Sequence, residues 1–156
     1  MDENNRTITS HKKARHDYHL IERMEAGLSL TGTEVKSLRA GKASLSEAYA
    51  RIDGSEVFLV GAHIPEYKHG NRENHEPTRK RKLLLHRREI DRIIGKIREK
   101  GLTLVPLRLY WKHGRVKVEI ALARGKRSYD RRDDIAATEA RREMRKAKAR
   151  RTGGDE

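Results

Sequence analysis

Apolar residues recur along this chain with two periods, and the switches between them mark its elements. Tyr18 to Leu30 reads as one long bent strand. Leu28 and Leu30 alternate with Ser29 and Thr31, and Gly27 permits a kink. Thr31-Gly32-Thr33-Glu34 then has the spacing of a capping box, in which a Thr hydroxyl and a Glu carboxylate satisfy the first free amides of a helix. Val35 and Leu38 follow three apart, and Gly41 stands where a helix-ending glycine belongs, so a helix of about two turns is expected. Ala48–Ile52 and Val57–Val60 flank Asp53-Gly54-Ser55, the pattern of a hairpin. Glu66 to Lys82 is polar, basic and interrupted by Gly70 and Pro77, which predicts a long loop. Ile90, Ile93, Ile94 and Ile97 have helical spacing, and Gly101 ends that helix. Thr103–Trp111 and Val116–Leu122 read as paired strands across Lys112-His113-Gly114-Arg115. In the second strand Val116, Val118, Ile120 and Leu122 face a core, while Lys117, Glu119, Ala121 and Ala123 face solvent or a ligand.

These elements sum to about five strands, mostly in antiparallel pairs, and two short helices. So few strands must close up or be covered to protect their edges. A small antiparallel β-barrel of the oligonucleotide-binding type does this, although periodicity alone does not choose the topology. Three regions follow. Residues 1–16 are polar, end in Lys12-Lys13-Ala14-Arg15-His16 and read as a flexible arm. Residues 17–123 form the barrel, and 124–156 a basic tail.

The tail changes the picture most. Arg124 to Arg151 holds twelve basic and five acidic residues, a net +7 and half of the chain's formal +14. Its apolar material is Tyr129, Ile135, Met144 and several alanines, too little to pack a helix on a core. Its Ala, Arg, Glu, Lys and Met nonetheless favour helix. Such a segment orders against a polyanion, and the commonest intracellular polyanion is nucleic acid. Asp133 and Asp134 would suit the N-terminal end of that helix, and Arg145 to Arg151 its C-terminal end. The pI near 10.3 points the same way. There is no cysteine, no apolar run long enough to span a membrane, and no signal-peptide pattern at the start. A cytoplasmic protein that does not use a membrane is expected.

Candidate chemistry is sparse. The eight histidines, among them His16 and His19 around Asp17 and His69 and His75 in the loop, lack zinc-site spacing and have no cysteine partners. They read as surface or RNA-facing residues, and neither metal nor cofactor is expected. Carboxylates such as Glu89 with Asp91, and Asp133-Asp134, suit capping and salt bridges. No nucleophile elbow, phosphate loop or dinucleotide fingerprint occurs, so an enzyme is not expected. Lys36, Arg39 and Lys42 cluster at a helix end with Glu34 close by. Arg79-Lys80-Arg81-Lys82 is a dense basic run that needs an offsetting charge, and phosphate is the favoured candidate. Tyr129, among Lys126, Arg127, Arg131 and Arg132, can stack on a base.

Five blocks carry a resemblance. They are 14–18 (ARHDY), 30–43 (LTGTEVKSLRAGKA), 81–86 (RKLLLH), 100–107 (KGLTLVPL) and 123–132 (ARGKRSYDRR). In this order they closely resemble the SmpB family of bacterial tmRNA-binding proteins, over about Lys13 to Ala149. The resemblance implies an oligonucleotide-binding-type barrel and a role in ribosome rescue without catalysis. Such proteins bind the tRNA-like domain of tmRNA and carry it to stalled ribosomes, with elongation factor Tu in the delivery complex. The tail reads the empty decoding centre and mRNA channel of the small-subunit rRNA. The resemblance puts Glu34, Lys36, Arg39, Leu85, His86, Lys126 and Arg127 on the tmRNA-facing surface, and the basic clusters add Lys42, Arg81 and Lys82 to it. It puts Tyr129, Asp130, Arg131, Arg132, Arg141, Arg142, Arg145 and Lys146 in the ribosome-binding tail. Arg127 and Arg131 stand where the family pattern has Lys, which keeps the charge but favours forked contacts. The rival reading is a ribosomal or assembly protein that uses the same barrel and tail on rRNA. An RNA-processing enzyme is a weaker third.

Overall fold

A computed structural model describes residues 6–69 and 74–125, together with Arg142, Met144 and Arg145. The chain divides into two units, Met1–Arg124 and Gly125–Glu156. Of the second, Gly125 ends the last strand, and Arg142, Met144 and Arg145 are helical and exposed.

The first unit is mainly β. In chain order it runs β1 (Thr7–Ser10), α1 (Lys12–Asp17), β2 (Tyr18–Leu28), α2 (Gly32–Arg39), β3 (Tyr49–Asp53), β4 (Glu56–Val60), β5 (Arg81–Leu84), α3 (Arg87–Lys100), β6 (Thr103–Lys112) and β7 (Arg115–Gly125). The seven strands make one sheet in the order β1-β6-β7-β2-β5-β4-β3. β1/β6, β6/β7, β2/β5, β5/β4 and β4/β3 are antiparallel. The sheet curls so that β3 packs against β6. Among the described residues the hydrogen-bonded row ends at β1 and β3 and does not close into a ring, so the sheet falls short of the closed barrel expected from the sequence.

The strongly patterned elements form as the sequence predicts. In the β3–β4 hairpin Asp53 pairs with Glu56 around a two-residue turn, where Gly54 takes a φ of 63°. In the β6–β7 hairpin both turn residues are left-handed, His113 at 51° and Gly114 at 75°, which twists the turn in the same sense as its strands. α3 buries Ile90 and Ile93 and ends at Gly101 with φ 62°. Gly27 in β2 faces Leu84, whose Cβ would lie 3.1 Å from any added Cβ. An added Cβ there would press on Leu84, so glycine serves the close approach of the two strands.

Residues 6–17 depart from the expected flexible arm. Thr7, Thr9 and Ser10 pair with Tyr110, Leu109 and Arg108. α1 lays Ala14 over a second apolar cluster of Val105, Leu107, Ala121 and Ala123, flanked by Tyr18 and Leu20. This also corrects the reading of β7. Val116, Val118, Ile120 and Leu122 do enter the main core, but Ala121 and Ala123 are buried on the opposite face under α1. A short helix with one inward alanine leaves almost no hydrophobic period to read.

Candidate nucleic-acid interface

The interface is built from α2 and the loop that follows β4. α2 starts where its sequence dictates: the Thr31 amide donates to Glu34 Oε1 at 2.8 Å. Gly41, with φ 77°, takes the chain out of the helix, and its amide donates to the Leu38 carbonyl at 2.9 Å. The inward face of the helix is partly polar. Leu38 and Ser37 are buried, and so is Glu34, with 0% exposure.

Glu34 is the hub of a buried charge network. Arg79 Nη2 donates to its Oε1 at 2.6 Å, and Arg81 Nε donates to its Oε2 in a short bond. Arg81 is itself 0% exposed and spends its other nitrogens on the Ala62 carbonyl at 2.9 Å and the Pro77 carbonyl at 3.1 Å. Burial alone would raise the Glu34 carboxyl. The bonds from Arg79, the Thr31 amide and Arg81 outweigh it and bring the carboxyl down to about 2. Burial pulls Arg81 below the ordinary guanidinium range, with Glu34 opposing that fall. A charge pair held this fully is a structural bolt, since removing either partner strands the other in the core.

The loop is fastened to α2 by neutral bonds as well. Ser37 Oγ donates to the Pro65 carbonyl at 2.7 Å. His75, buried, sits between Ile64 and Thr33. Its Nε2 donates to the Ile64 carbonyl at 2.8 Å, which leaves Nδ1 as the acceptor for the Thr33 hydroxyl at 2.8 Å. Asn74 Nδ2 donates to the Tyr67 carbonyl at 2.7 Å and its Oδ1 accepts the Tyr67 amide at 3.2 Å. The stretch read as a polar loop is therefore anchored at both ends by side chains.

The anchoring presents a defined surface. Lys36, Arg39 and Lys42 are exposed, and none forms an ion pair with a described residue. Lys36 Nζ stands 5.6 Å from the Tyr67 ring centroid, and that ring meets His69 edge-on at 5.5 Å. Three exposed cations, one of them beside an aromatic pair, make a surface suited to phosphate and stacked bases.

Several expected contact residues lie elsewhere. Glu34 and Arg81 are beneath the surface and cannot touch a ligand directly. The basic run at 79–82 is offset by carboxylates rather than left for phosphate. Arg79 and Arg81 bind Glu34, Lys80 Nζ lies 2.8 Å from Asp53, and Lys82 Nζ lies 3.4 Å from Glu56. Leu85 packs partly against the core. His86 is exposed, just before α3, where its amide donates to Glu89 at 3.2 Å. Lys82, Leu85 and His86 line a groove of about 860 Å³ with Gly27, Leu84 and Arg115. Lys126, Arg127, Tyr129, Asp130, Arg131, Arg132, Arg141 and Lys146 lie outside the described residues. Tyr67 was not expected here, and His75, read as a surface or RNA-facing residue, is buried instead. The Thr33–His75 and Ser37–Pro65 links join segments 42 and 28 residues apart, which no local pattern reveals. Among the described residues, no three His, Asp or Glu side chains converge as metal ligands do, and no helix is long and apolar enough to cross a membrane.

The profile of the family described as SmpB protein matches residues 8–150. The chain belongs to that family. Similar proteins carry the name SsrA-binding protein. One from Acidothermus cellulolyticus is 60% identical over 147 residues, covering 94% of this chain and 92% of its own. One from Mycobacterium sp. (strain KMS) is 56% identical over 153 residues, covering 98% and 91%. A chain from a solved structure described as "tmRNA-SmpB: a journey to the center of the bacterial ribosome" matches with a TM-score of 0.62 and 50% identity, over 76% of this chain and 83% of that one. Family membership accords with the five sequence blocks, of which 30–43 and 81–86 supply α2 and β5, the two elements the Glu34–Arg81 pair joins.

Proposed function

We propose that this protein is a non-catalytic RNA-binding protein of ribosome rescue, which binds the tRNA-like domain of tmRNA and delivers it to stalled ribosomes in the cytoplasm. The observation that carries the reading is the exposed trio Lys36, Arg39 and Lys42, without an ion pair among the described residues, on and just after a helix bolted to its loop through Glu34 and His75. A rigid cationic surface costs little to order when it meets phosphates. In this reading the first unit is an oligonucleotide-binding-type fold, and its α2 and β5–α3 surfaces meet tmRNA, with Lys126 and Arg127 continuing the contact. Glu34 and Arg81 act by positioning that surface.

Tyr129, Asp130, Arg131, Arg132, Arg141, Arg142, Arg145 and Lys146 serve the ribosome. The tail is disordered when free and helical in the decoding centre and empty mRNA channel, because a helix without a packing face is marginal in water. Elongation factor Tu acts in the delivery complex through tmRNA.

Sequencing the RNA recovered with the purified protein tests the partner: strong tmRNA enrichment is expected, and an even recovery of ribosomal RNA would favour an assembly protein instead. Truncation before Ser128 tests the division of labour. It should leave tmRNA binding nearly intact and abolish tagging of stalled chains. Loss of both together would place the tail in the tmRNA site.

A further inference from the structure

The outer face of β3, β4 and β5 carries a cluster that shares Lys82 with the groove above but centres on Tyr49 and Arg51 of β3, which the interface above does not use. Strand alternation sends Ala50, Ile52, Val57, Leu59 and Leu83 to the main core and leaves the intervening side chains outside. Register places Arg51, Phe58 and Lys82 in one row across the three strands, with Tyr49 opposite Val60 in the next. Tyr49 is 50% exposed. Phe58 is covered, because Lys80 Nζ lies 4.0 Å above its ring on the way to Asp53, whereas no described cation covers Tyr49. Arg51 is exposed and forms no ion pair with a described residue. The face thus offers one open aromatic ring with an exposed guanidinium two residues along the same strand, roughly 7 Å away, while Lys80 and Lys82 beside it are paired with Asp53 and Glu56.

We propose that this face is a second RNA contact, in which an unpaired base stacks on Tyr49 and the adjoining phosphate lies on Arg51. Charge complementarity favours RNA over a protein partner. The three cations outnumber Asp53 and Glu56, and a single half-exposed ring beside Val60 is too small an apolar area for a stable protein interface. The contact is tolerant of sequence, since every base has a π-face. Tyr49 and Arg51 lie on β3, outside α2 and its loop, and the contact serves a nucleotide outside a duplex.

The test uses the full-length protein and a fluorescein-labelled octamer of oligoadenylate, followed by anisotropy. Tyr49→Ala should weaken octamer binding by about tenfold, from the loss of one base stack, while Tyr49→Phe stays within about twofold of the parent. Arg51→Gln should make the salt dependence shallower by nearly one counterion, about 0.7 in slope. A 4-thiouridine octamer cross-linked to the unmodified protein should leave an adduct on the peptide containing Tyr49, also when Lys36, Arg39 and Lys42 are all changed to Gln. That last result separates this site from the proposed tmRNA surface. Unchanged octamer affinity in folded Tyr49→Ala, or adducts confined to other peptides, would overturn the proposal. So would light scattering that shows a dimer dissociated by Tyr49→Ala at unchanged RNA affinity, since the ring would then be a contact between two copies of the chain.

Discussion

Replacing Glu34 by Gln keeps the shape of the side chain and removes its charge. The amide oxygen can still accept one bond, but the amide nitrogen cannot accept from Arg79 or Arg81, and Arg81 is left charged at 0% exposure. Two estimates of the cost agree. Breaking one side of a buried ion pair costs about 3–5 kcal/mol. A carboxyl held at about 2 in the fold, against an ordinary 4.5, stabilises the folded chain by roughly 3 kcal/mol at neutral pH. Against a total stability of about 5–15 kcal/mol, this should lower the melting temperature by on the order of 10 °C. The pH dependence carries the sharper signature. The folded value is depressed, so the stabilisation is full above about 4.5 and is lost as pH falls toward 2. The gap between parent and Glu34→Gln should therefore be widest near neutrality and shrink through that window. Thermal melts by circular dichroism from pH 7 to 2.5 measure it. A variant melting within 2–3 °C of the parent at pH 7, or a gap that does not narrow in acid, would refute the account of Glu34 as a buried bolt.

Two further predictions follow from the same surface and its supports. Changing Lys36, Arg39 and Lys42 together to Gln should leave the melting temperature within about 2 °C, since exposed residues without ion pairs contribute little. It should weaken tmRNA binding and reduce the slope of log K against log salt by roughly 2–3; an unchanged slope in filter-binding titrations would remove these cations from the interface. Gly61→Ala should destabilise the fold by about 1–3 kcal/mol in urea titrations, because Gly61 holds φ 78° and a Cβ there would lie 2.5 Å from the Glu47 carbonyl oxygen; a change under 0.5 kcal/mol would mean that the segment yields.

What could be read from the chain alone was what is local. The Thr31–Glu34 box, the Ile90–Ile97 stripe and the two hairpins declare themselves within a dozen residues. The arm, the second apolar cluster and the charge network did not, because their partners lie far off in sequence: Thr7 pairs with Tyr110, and Glu34 with Arg81. A charge pattern carries no sign of which cation a carboxylate will meet. One clue was available in β5. Leu83 must point to the core, and strand alternation then sends Arg81 to the same side. A basic residue forced inward demands a buried acid, and Glu34 stood in a helix with its outward positions already taken by Lys36 and Arg39. Of the cationic surface, the α2 trio was legible because exposure at a helix end needs no partner. The basic run at 79–82 misled, because its four carboxylate contacts come from three other elements.

The pairing of β1 with β6 sets an order on biosynthesis. The β3–β4 hairpin and β5 can associate while the nascent chain is still short, since each neighbour is made soon after the last. Thr7–Ser10 and the inward face of α1 have no surface to join until Thr103–Lys112 has left the exit tunnel, about a hundred residues later. β1 is thus made well before it can be placed, and its pairing must wait on a long loop closure. A chain interrupted before β6 would hold Ile8 and Ala14 in water with nothing to cover them, so the sheet is completed only once β6 has been made.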